Sequence, residues 1–316
     1  MKAVLFLSLS ILILGVKAWP SPMKMPFDVF PEGYKVHTIS DCMHVASEPG
    51  DYVFKKTPHM IPPKEVDLLD VGDSMAVCGL YVIGEPDTII EITMKYYDVN
   101  CETGGLMAFV DGWELNGEYF PGIEDHHKSR DDRIVEFCNN YNQWPPISNK
   151  KFFRSNQNAA LLQYRIPTRG SFIANVRFHK ITQPCNILVH DTVAIYQLSN
   201  FGHQRNCTLS ALFPAVVALG NLKIGGKSAM KEKVNYECTM PDRLQIGGTS
   251  GLDSSGLEKS CEVCGYSDER GPEQAIFCGI TTIRLVSSGK YQNLAVVALR
   301  KADENDLEIA TLVCPL

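Results

Sequence analysis

Thr88-Ile-Ile-Glu-Ile-Thr-Met-Lys-Tyr-Tyr97 is the stretch of sequence that decides the fold class. Its apolar residues Ile90, Ile92, Met94 and Tyr96 alternate with the residues between them. Successive side chains of an extended chain point to opposite faces, so this period of two places the four apolar side chains on one face. The pattern predicts a half-buried β-strand, with Tyr97 on the opposite face.

The same alternation recurs in residues 162–166 and 172–178, and short apolar runs separated by Gly, Pro, Asn and Ser continue beyond residue 193. Asp111-Gly112 and Asn116-Gly117 are hairpin signals. No stretch after the first 18 residues shows a convincing helical period. Many short strands at this spacing predict an all-β protein made of sandwiches or jelly rolls. A polar turn that contains Pro184 follows the strand ending near Lys180, so we expect a domain boundary there.

The first 18 residues have the pattern of a secretory leader. Lys2 is followed by an apolar run from Val4 to Val16 that is too short to span a bilayer, and Val16-Lys17-Ala18 supplies small residues for cleavage. We therefore expect a secreted, extracellular protein whose mature chain begins near Trp19. We expect no attachment to a membrane, because no later stretch is apolar enough to span one. Residues 19–41 are rich in Pro and poor in pattern, and are interpreted as an amino-terminal arm.

Eleven cysteines in an exported chain predict a disulfide framework with one cysteine left over. The chain of 316 residues is longer than one hydrophobic core usually serves, and its cysteines are spread evenly enough for two stapled domains. The formal net charge of -6 argues against nucleic acid as a partner. Oxidation of the thiols argues against a zinc site built on Cys261 and Cys264.

Other candidate sites favour structural explanations. Asp125-His126-His127 and Asp131-Asp132 form the densest cluster of possible metal or acid/base groups, but a run of charge between two turns is interpreted as a solvated loop. Gly225 to Lys233 is interpreted as an exposed loop. Gly247-Gly-Thr-Ser-Gly251 does not satisfy the nucleophile-elbow pattern and is interpreted as a turn. No Ser/His/Asp set stands out, so we expect no enzyme and no cofactor. Cys101 is followed by Glu-Thr-Gly-Gly105, and Ser155-x-x-Asn158 leads to Ile166-Pro167 without a Ser-Asp pair, so we expect no metal in the first domain. In the second domain, Asp242 and Asp303 are too few for a calcium site by themselves.

Six strings of residues carry a specific resemblance: Phe109-Val-Asp-Gly-Trp-Glu-Leu-Asn-Gly-Glu-Tyr-Phe-Pro121, Ser155-Asn-Gln-Asn158, Pro184-Cys-Asn186, His203-Gln-Arg-Asn-Cys207, Gly247-Gly-Thr-Ser-Gly-Leu-Asp253 and Val286-Ser-Ser-Gly-Lys290. They resemble, in the same order, segments of the corticotropin-releasing factor-binding protein family. The similarity runs from about Cys42 to Cys314 and suggests an invertebrate member.

The resemblance implies two disulfide-stapled CUB-like β-sandwich (jelly-roll) modules, the first over residues 42–180 and the second over residues 185–316. It also implies disulfides between neighbours in the chain, and leaves Cys261 as the unpaired candidate, with exchange between Cys261 and Cys264 open. The implied pairs are Cys42–Cys78, Cys101–Cys138, Cys185–Cys207, Cys238–Cys264 and Cys278–Cys314. Asn206 begins the one Asn-x-Ser/Thr sequon and matches a glycosylation site typical of the family.

The function implied is that of a secreted carrier that sequesters a corticotropin-releasing-factor-like peptide hormone, related to diuretic hormone in insects, and so limits receptor activation. An amphipathic peptide helix would lay its apolar face on aromatic side chains. Core packing is the alternative role for each candidate aromatic. An extracellular CUB adaptor for a protease or matrix protein is the alternative function. The candidate peptide-binding aromatics are Trp113, Tyr119, Phe120, Phe152 and Phe153.

Overall fold

The computed structural model describes residues 35–57, 76–139, 151–167, 169–190, 193–226 and 234–314. The expected leader, most of the expected arm and residues 227–233 of the expected loop lie outside the described residues. Residues 35–316 belong to one compact unit. The described part of the chain contains no helix that is long and apolar enough to cross a membrane.

The first module is a sandwich of two five-stranded sheets. One sheet has the order β1-β3-β12-β5-β10, and the other has the order β2-β4-β11-β6-β9. A separate two-stranded hairpin, β7-β8, completes the module. The strands are β1 (Val36–Thr38), β2 (Met43–Ala46), β3 (Gly50–Lys56), β4 (Cys78–Ile83), β5 (Thr88–Asp98), β6 (Leu106–Val110), β7 (Trp113–Leu115), β8 (Glu118–Phe120), β9 (Ile134–Phe137), β10 (Lys151–Arg154), β11 (Ala159–Arg165) and β12 (Gly170–Lys180).

The second module repeats the sandwich with one five-stranded and one six-stranded sheet. The first has the order β13-β15-β21-β17-β18, and the second has the order β14-β22-β16-β20-β23 with β19 paired to β16. The strands are β13 (Ile187–Val189), β14 (Val193–Ser199), β15 (Cys207–Ala211), β16 (Ala215–Ile224), β17 (Arg243–Thr249), β18 (Glu258–Val263), β19 (Gly265–Ser267), β20 (Glu273–Phe277), β21 (Ile280–Val286), β22 (Leu294–Lys301) and β23 (Ala310–Val313). The all-β class and the two stapled sandwiches are therefore confirmed.

The stretch Thr88–Tyr97 lies within β5, as predicted, but its alternation breaks at Lys95. Tyr96 pairs with Ile173 whereas Met94 pairs with Ala174, so Lys95 is an extra residue in a β-bulge. The bulge turns Tyr96 outward, where it is 42% exposed, and lets Tyr97 pack against the core. The prediction that Tyr96 shares the buried face was wrong for this reason.

The Asn116-Gly117 turn is confirmed, because both residues have positive φ, 54° and 84°, as a two-residue β-hairpin of this kind requires. Gly112 also has a positive φ, 121°, but it links β6 to β7 and does not form a hairpin turn. Two other interpretations need correction. Gly247 to Thr249 lie in the buried strand β17 and not in a turn. Strand β1 pairs with β3 in parallel and Ile39 is buried in the core, so the end of the expected arm belongs to the first module.

The two modules share a third apolar core, which we call the seam. Residues from β4, β6, β11 and the hairpin pack there against residues of the second module, which are Leu188, Leu212, Leu252 and Ile280. Strands β4 and β11 are consequently buried on both faces in their central parts: Val82 and Leu162 face the first module's own core, and Ile83 and Leu161 face the seam. The seam places the hairpin between the modules.

Candidate functional site

An apolar pocket of about 300 Å³ opens beside the hairpin at the seam. We call it the seam pocket. Its apolar lining comes from both modules, and four polar or small residues complete it. The first module contributes Met43, Val45, Tyr81, Trp113, Leu115, Asn116 and Glu118, and the second contributes Leu212, Ser250, Gly251, Leu252 and Ile280.

The floor of the seam pocket is fixed by packing and hydrogen bonds. The Trp113 indole Nε1 donates to the Val82 carbonyl at 2.8 Å, and the Tyr81 hydroxyl donates to the Glu114 carbonyl at 3.2 Å. The Tyr81 and Trp113 rings meet edge to face with centroids 5.2 Å apart. Both side chains are buried, whereas Met43 and Val45 near the mouth are 58% and 59% exposed. The pocket is thus preformed at its floor and open to solvent at its mouth.

A buried arginine holds the hairpin against the first module. The Arg133 guanidinium donates to the carbonyls of Asp111, Pro121 and Phe120 at 3.1, 2.7 and 3.1 Å. Only 1% of Arg133 is exposed, and burial lowers the pKa of its guanidinium from the usual value. Three carbonyl acceptors at both ends of the hairpin replace the water that this side chain has lost.

Asp111, just before the hairpin, is a second buried anchor. Its carboxylate accepts from the backbone N–H of Asn156 at 2.8 Å and from the Lys128 ammonium at 3.0 Å. Burial alone would raise the pKa of Asp111, but the His126 imidazole, whose Nε2 lies 3.5 Å from Oδ2, and hydrogen bonds from Lys128 and the Asn156 backbone lower it below its usual range. Asp111 is therefore an anion that ties the start of the hairpin to the loop before β11.

A buried ion pair joins the modules beneath the hairpin. Oδ1 of Asp125 accepts from the Arg284 guanidinium at 2.7 Å (Nε) and 2.6 Å (Nη2). Oδ2 of Asp125 accepts from the hydroxyls of Thr208 and Ser254, both at 2.6 Å. Asp125 and His126 are each less than 9% exposed, so the prediction of a solvated loop was wrong for these two residues, whereas His127, Asp131 and Asp132 are exposed. Asp125 is buried because Arg284, Thr208 and Ser254 of the second module cover it.

Further hydrogen bonds cross the seam near the module boundary. Asn158 accepts from the Leu188 N–H at 2.9 Å and donates to the Leu188 carbonyl at 2.8 Å. Gly122 approaches the second module so closely that a Cβ atom there would collide with the Ser254 hydroxyl. Polar pairing and close packing at several points hold the two modules in a defined arrangement around the pocket.

The pocket has an acidic side. Glu118 lines it, and the Glu118 carboxylate packs so closely against Gly251 that a side chain at Gly251 would collide with it. Glu114 is on the neighbouring strand, and its carboxylate accepts from the Gly117 N–H at 2.7 Å and from the Gln163 side chain. Within the described ranges, no lysine or arginine lies at ion-pair distance from Glu114 or Glu118. The two carboxylates leave a negative charge beside the apolar mouth.

The five aromatics predicted to bind peptide lie in different environments. Trp113 lines the pocket with 7% of its surface exposed, whereas Phe120 is fully buried in the seam, which is the core-packing alternative for this residue. Tyr119 is partly exposed, and the guanidinium carbons of Arg130 and Arg133 lie 5.6 and 5.7 Å from its ring centre. Packing at the seam buries side chains that the hairpin by itself would leave exposed.

Phe152 and Phe153 lie on β10, at the edge of the sheet that does not carry the pocket. Phe153 is buried and stacks on Phe109 and Phe137, with ring centres 4.8 and 5.2 Å apart, so it is a core residue and not an anchor. Phe152 points the other way and is 58% exposed. The structure therefore brings only Trp113 of the five into the pocket, together with aliphatic residues that the sequence analysis did not single out.

The cysteines form five disulfides, each within one module, and Cys261 is the free cysteine. The pairs are Cys42–Cys78, Cys101–Cys138, Cys185–Cys207, Cys238–Cys264 and Cys278–Cys314. Burial raises the pKa of the Cys261 thiol, which makes the thiolate scarce. Asn206 lies at the seam, where its side chain donates to the Glu124 carbonyl at 3.2 Å.

Among the described residues, no group of three or more His, Cys, Asp or Glu side chains could hold a metal ion. Both aspartates that the sequence analysis considered for calcium have structural partners. Asp242 accepts from the N–H and hydroxyl of Ser288, at 2.5 and 2.9 Å. Asp303 caps a short 3-10 helix, Glu304–Ile309, by accepting from the Asn305 N–H at 2.8 Å.

Comparison with solved structures gives chains with low overall similarity. The CUB1-EGF-CUB2 domains of rat MASP-1 are 9% identical with a TM-score of 0.27, and cover 84% of this chain and 100% of that chain. The full extracellular region of zebrafish Gpr126/Adgrg6 is 10% identical with a TM-score of 0.27, and covers 85% of this chain and 38% of that chain.

Sequence comparison is more specific. Human corticotropin-releasing factor-binding protein is 27% identical over 234 residues, which are 73% of this chain and 70% of the human protein. The sheep protein is 29% identical over 235 residues, again 73% and 70%. The family models for the corticotropin-releasing factor binding protein N-terminal and C-terminal domains match residues 71–180 and 190–308. Two domain models in the right order, together covering most of the described sandwiches, establish that this chain belongs to the corticotropin-releasing factor-binding protein family.

Proposed function

We propose that the protein is a secreted, non-enzymatic carrier that binds and sequesters a corticotropin-releasing-factor-like peptide hormone, in insects the related diuretic hormone, and so limits receptor activation. Membership of a family named for hormone binding supports this function. The observation that carries it in this molecule is the preformed apolar pocket at the seam. A pocket of this size and character suits side chains of a peptide.

The carrier function depends on mass action. A peptide bound to the carrier is unavailable to its receptor, so inhibition should depend on the ratio of carrier concentration to the dissociation constant. The five disulfides suit a protein that works outside the cell. The same proposal includes a glycan at Asn206. Because the sequon hydroxyl of Thr208 is fully buried in the folded protein and donates to Asp125, the glycan would be added before the modules close.

Titration of labelled peptide against the purified protein tests the function. Fluorescence anisotropy of labelled corticotropin-releasing factor and of labelled insect diuretic hormone should saturate with a 1:1 protomer ratio, and added carrier should shift the receptor dose-response curve to higher hormone concentration. Absence of saturable binding for both peptides would reject the carrier function. Capture of an extracellular protease or matrix protein by the same preparation would then favour the CUB adaptor.

A further inference from the structure

We propose that the seam pocket receives two apolar side chains that lie one turn apart on a helical peptide, and that a lysine or arginine of the same peptide pairs with Glu118. This inference rests on the proposed function and specifies which peptide surface the carrier recognises. It assigns a specificity-determining role to an acidic residue at the edge of an otherwise apolar site.

The volume of the pocket sets the number of side chains. A dry apolar cavity of about 150 Å³ holds one benzene-sized group. The seam pocket has about twice that volume, 300 Å³, so it accommodates two side chains of this size. Residues three or four apart on a helix project from the same face, which lets one helix insert both.

The position of the pocket favours a helix over an added strand. Val45 pairs in register with Tyr81 of the neighbouring strand, so their side chains lie on the same face of the sheet, and both line the pocket. The pocket therefore lies over the face of the sheet. A peptide strand that extended the sheet beyond β2 would lie in its plane and leave the pocket unfilled. A helix laid across the face fills it.

The charge of the pocket supplies the third element. The charged residue in the lining is Glu118, and Glu114 lies on the neighbouring strand of the hairpin. No described lysine or arginine lies within ion-pair distance of either carboxylate. A helix that approached with an acidic residue at this point would be repelled, whereas a basic residue would be attracted. The carboxylate of Glu118 thus selects the sequence beside the apolar pair.

One substitution at the mouth tests the apolar part against a matched control. Val45→Lys places a charge in the pocket mouth, and Val193→Lys makes the same change at a residue that is 74% exposed on β14, away from the pocket. We expect V45K to weaken binding of labelled corticotropin-releasing factor at least about 10-fold, as loss of a central contact does, and V193K to leave it unchanged. Equal affinities for the two variants would overturn the assignment of the pocket.

Chemical protection locates the peptide directly and does not depend on loss of binding. In a Cys261→Ser background, Leu115→Cys places a thiol at a pocket residue that is 37% exposed, and Val193→Cys provides the control. Saturating peptide should slow alkylation of the thiol at position 115 about 10-fold and leave the control unchanged, as burial under a bound partner requires. Unchanged alkylation at position 115 with peptide bound would also overturn the assignment.

Charge reversal tests the role of Glu118. Glu118→Arg should weaken binding about 10-fold, and replacing one lysine or arginine of the peptide by Glu should restore binding to this variant, because opposite charges again meet. Glu136→Arg, an exposed position on β9, is the control. If the wild-type protein binds the peptide but no peptide charge reversal restores binding to E118R, the ion pair is wrong while the carrier function stands. If the wild-type protein does not bind, the carrier function itself fails.

Discussion

Replacing Asp125 by Ala should destabilise the protein by opening the seam. In the wild-type protein, the Asp125 carboxylate is fully buried and accepts four hydrogen bonds from Arg284, Thr208 and Ser254. The substitution removes the acceptor but leaves the Arg284 guanidinium at the seam, where its side chain is only 10% exposed. Glu124, which is 67% exposed and 2.8 Å from the guanidinium, then becomes its one remaining charged partner.

The magnitude follows from these environments. Removal of one partner of a buried ion pair costs about 3 to 5 kcal/mol, because the other charge is left without compensation. Glu124 retains part of the interaction with Arg284, so we expect a loss near the lower end, about 3 kcal/mol of the free energy of unfolding. Glu124→Gln removes only an exposed partner and should cost at most about 1 kcal/mol.

Equilibrium unfolding in urea, with the disulfides intact, measures the change. A double variant, Asp125→Ala with Arg284→Met, removes both charges, so it should lose less stability than the two single variants predict together. Because the same residues join the modules, Asp125→Ala should also separate a single unfolding transition into two. A loss below about 1 kcal/mol in Asp125→Ala, the range of an exposed pair, would refute the description of the seam as held by a buried charge.

Three further predictions concern the disulfides, metal and acid stability. Mass spectrometry without reduction should find the five bridges between chain neighbours, and a bridge between the modules would contradict the framework. Cys207→Ser, which opens a bridge across 22 residues, should lower the free energy of unfolding by about 3 kcal/mol and impair secretion. Cys261→Ser should leave the stability unchanged. Binding of labelled peptide should survive EDTA, because the contact proposed is apolar and ionic; loss with EDTA and return with calcium would contradict it. Hydrogen bonding to the Arg300 guanidinium lowers the pKa of Asp306 to about 2. Stabilisation by this pair should therefore be complete above about pH 4 and be lost as the pH falls towards 2. Thermal unfolding at several pH values should show that Asp306→Asn lacks this acid dependence, and an unchanged acid profile would refute the role of the pair.

The candidate site was predictable only in part. The hairpin could be predicted because Asn116-Gly117 supplies the two positive φ angles locally, and Trp113 beside it does line the pocket. Phe120 lies two residues after Glu118, which pairs with Leu115 across the hairpin. Unlike Glu118 and Leu115, Phe120 is buried in the seam and inaccessible to a peptide. A strand's own alternation identifies which residues share a face, but it does not say whether that face meets water or another module. The continuous apolar run Ala159-Ala-Leu-Leu162 was the available signal that β11 is covered on both faces.

The sequence by itself determined the strands, the hairpin and the expectation of disulfides, because these depend on local alternation, turn residues and the number of cysteines. Only the tertiary structure decided the seam. Asp125 and Arg284 are 159 residues apart and each is an ordinary charged residue in its own segment. Their pairing, and the apolar pocket lined by Tyr81, Trp113 and Ile280, arise when two separately patterned sandwiches bury one face against each other. Burial between modules leaves no periodic pattern in either segment, since the contact depends on where each complete sandwich presents its surface.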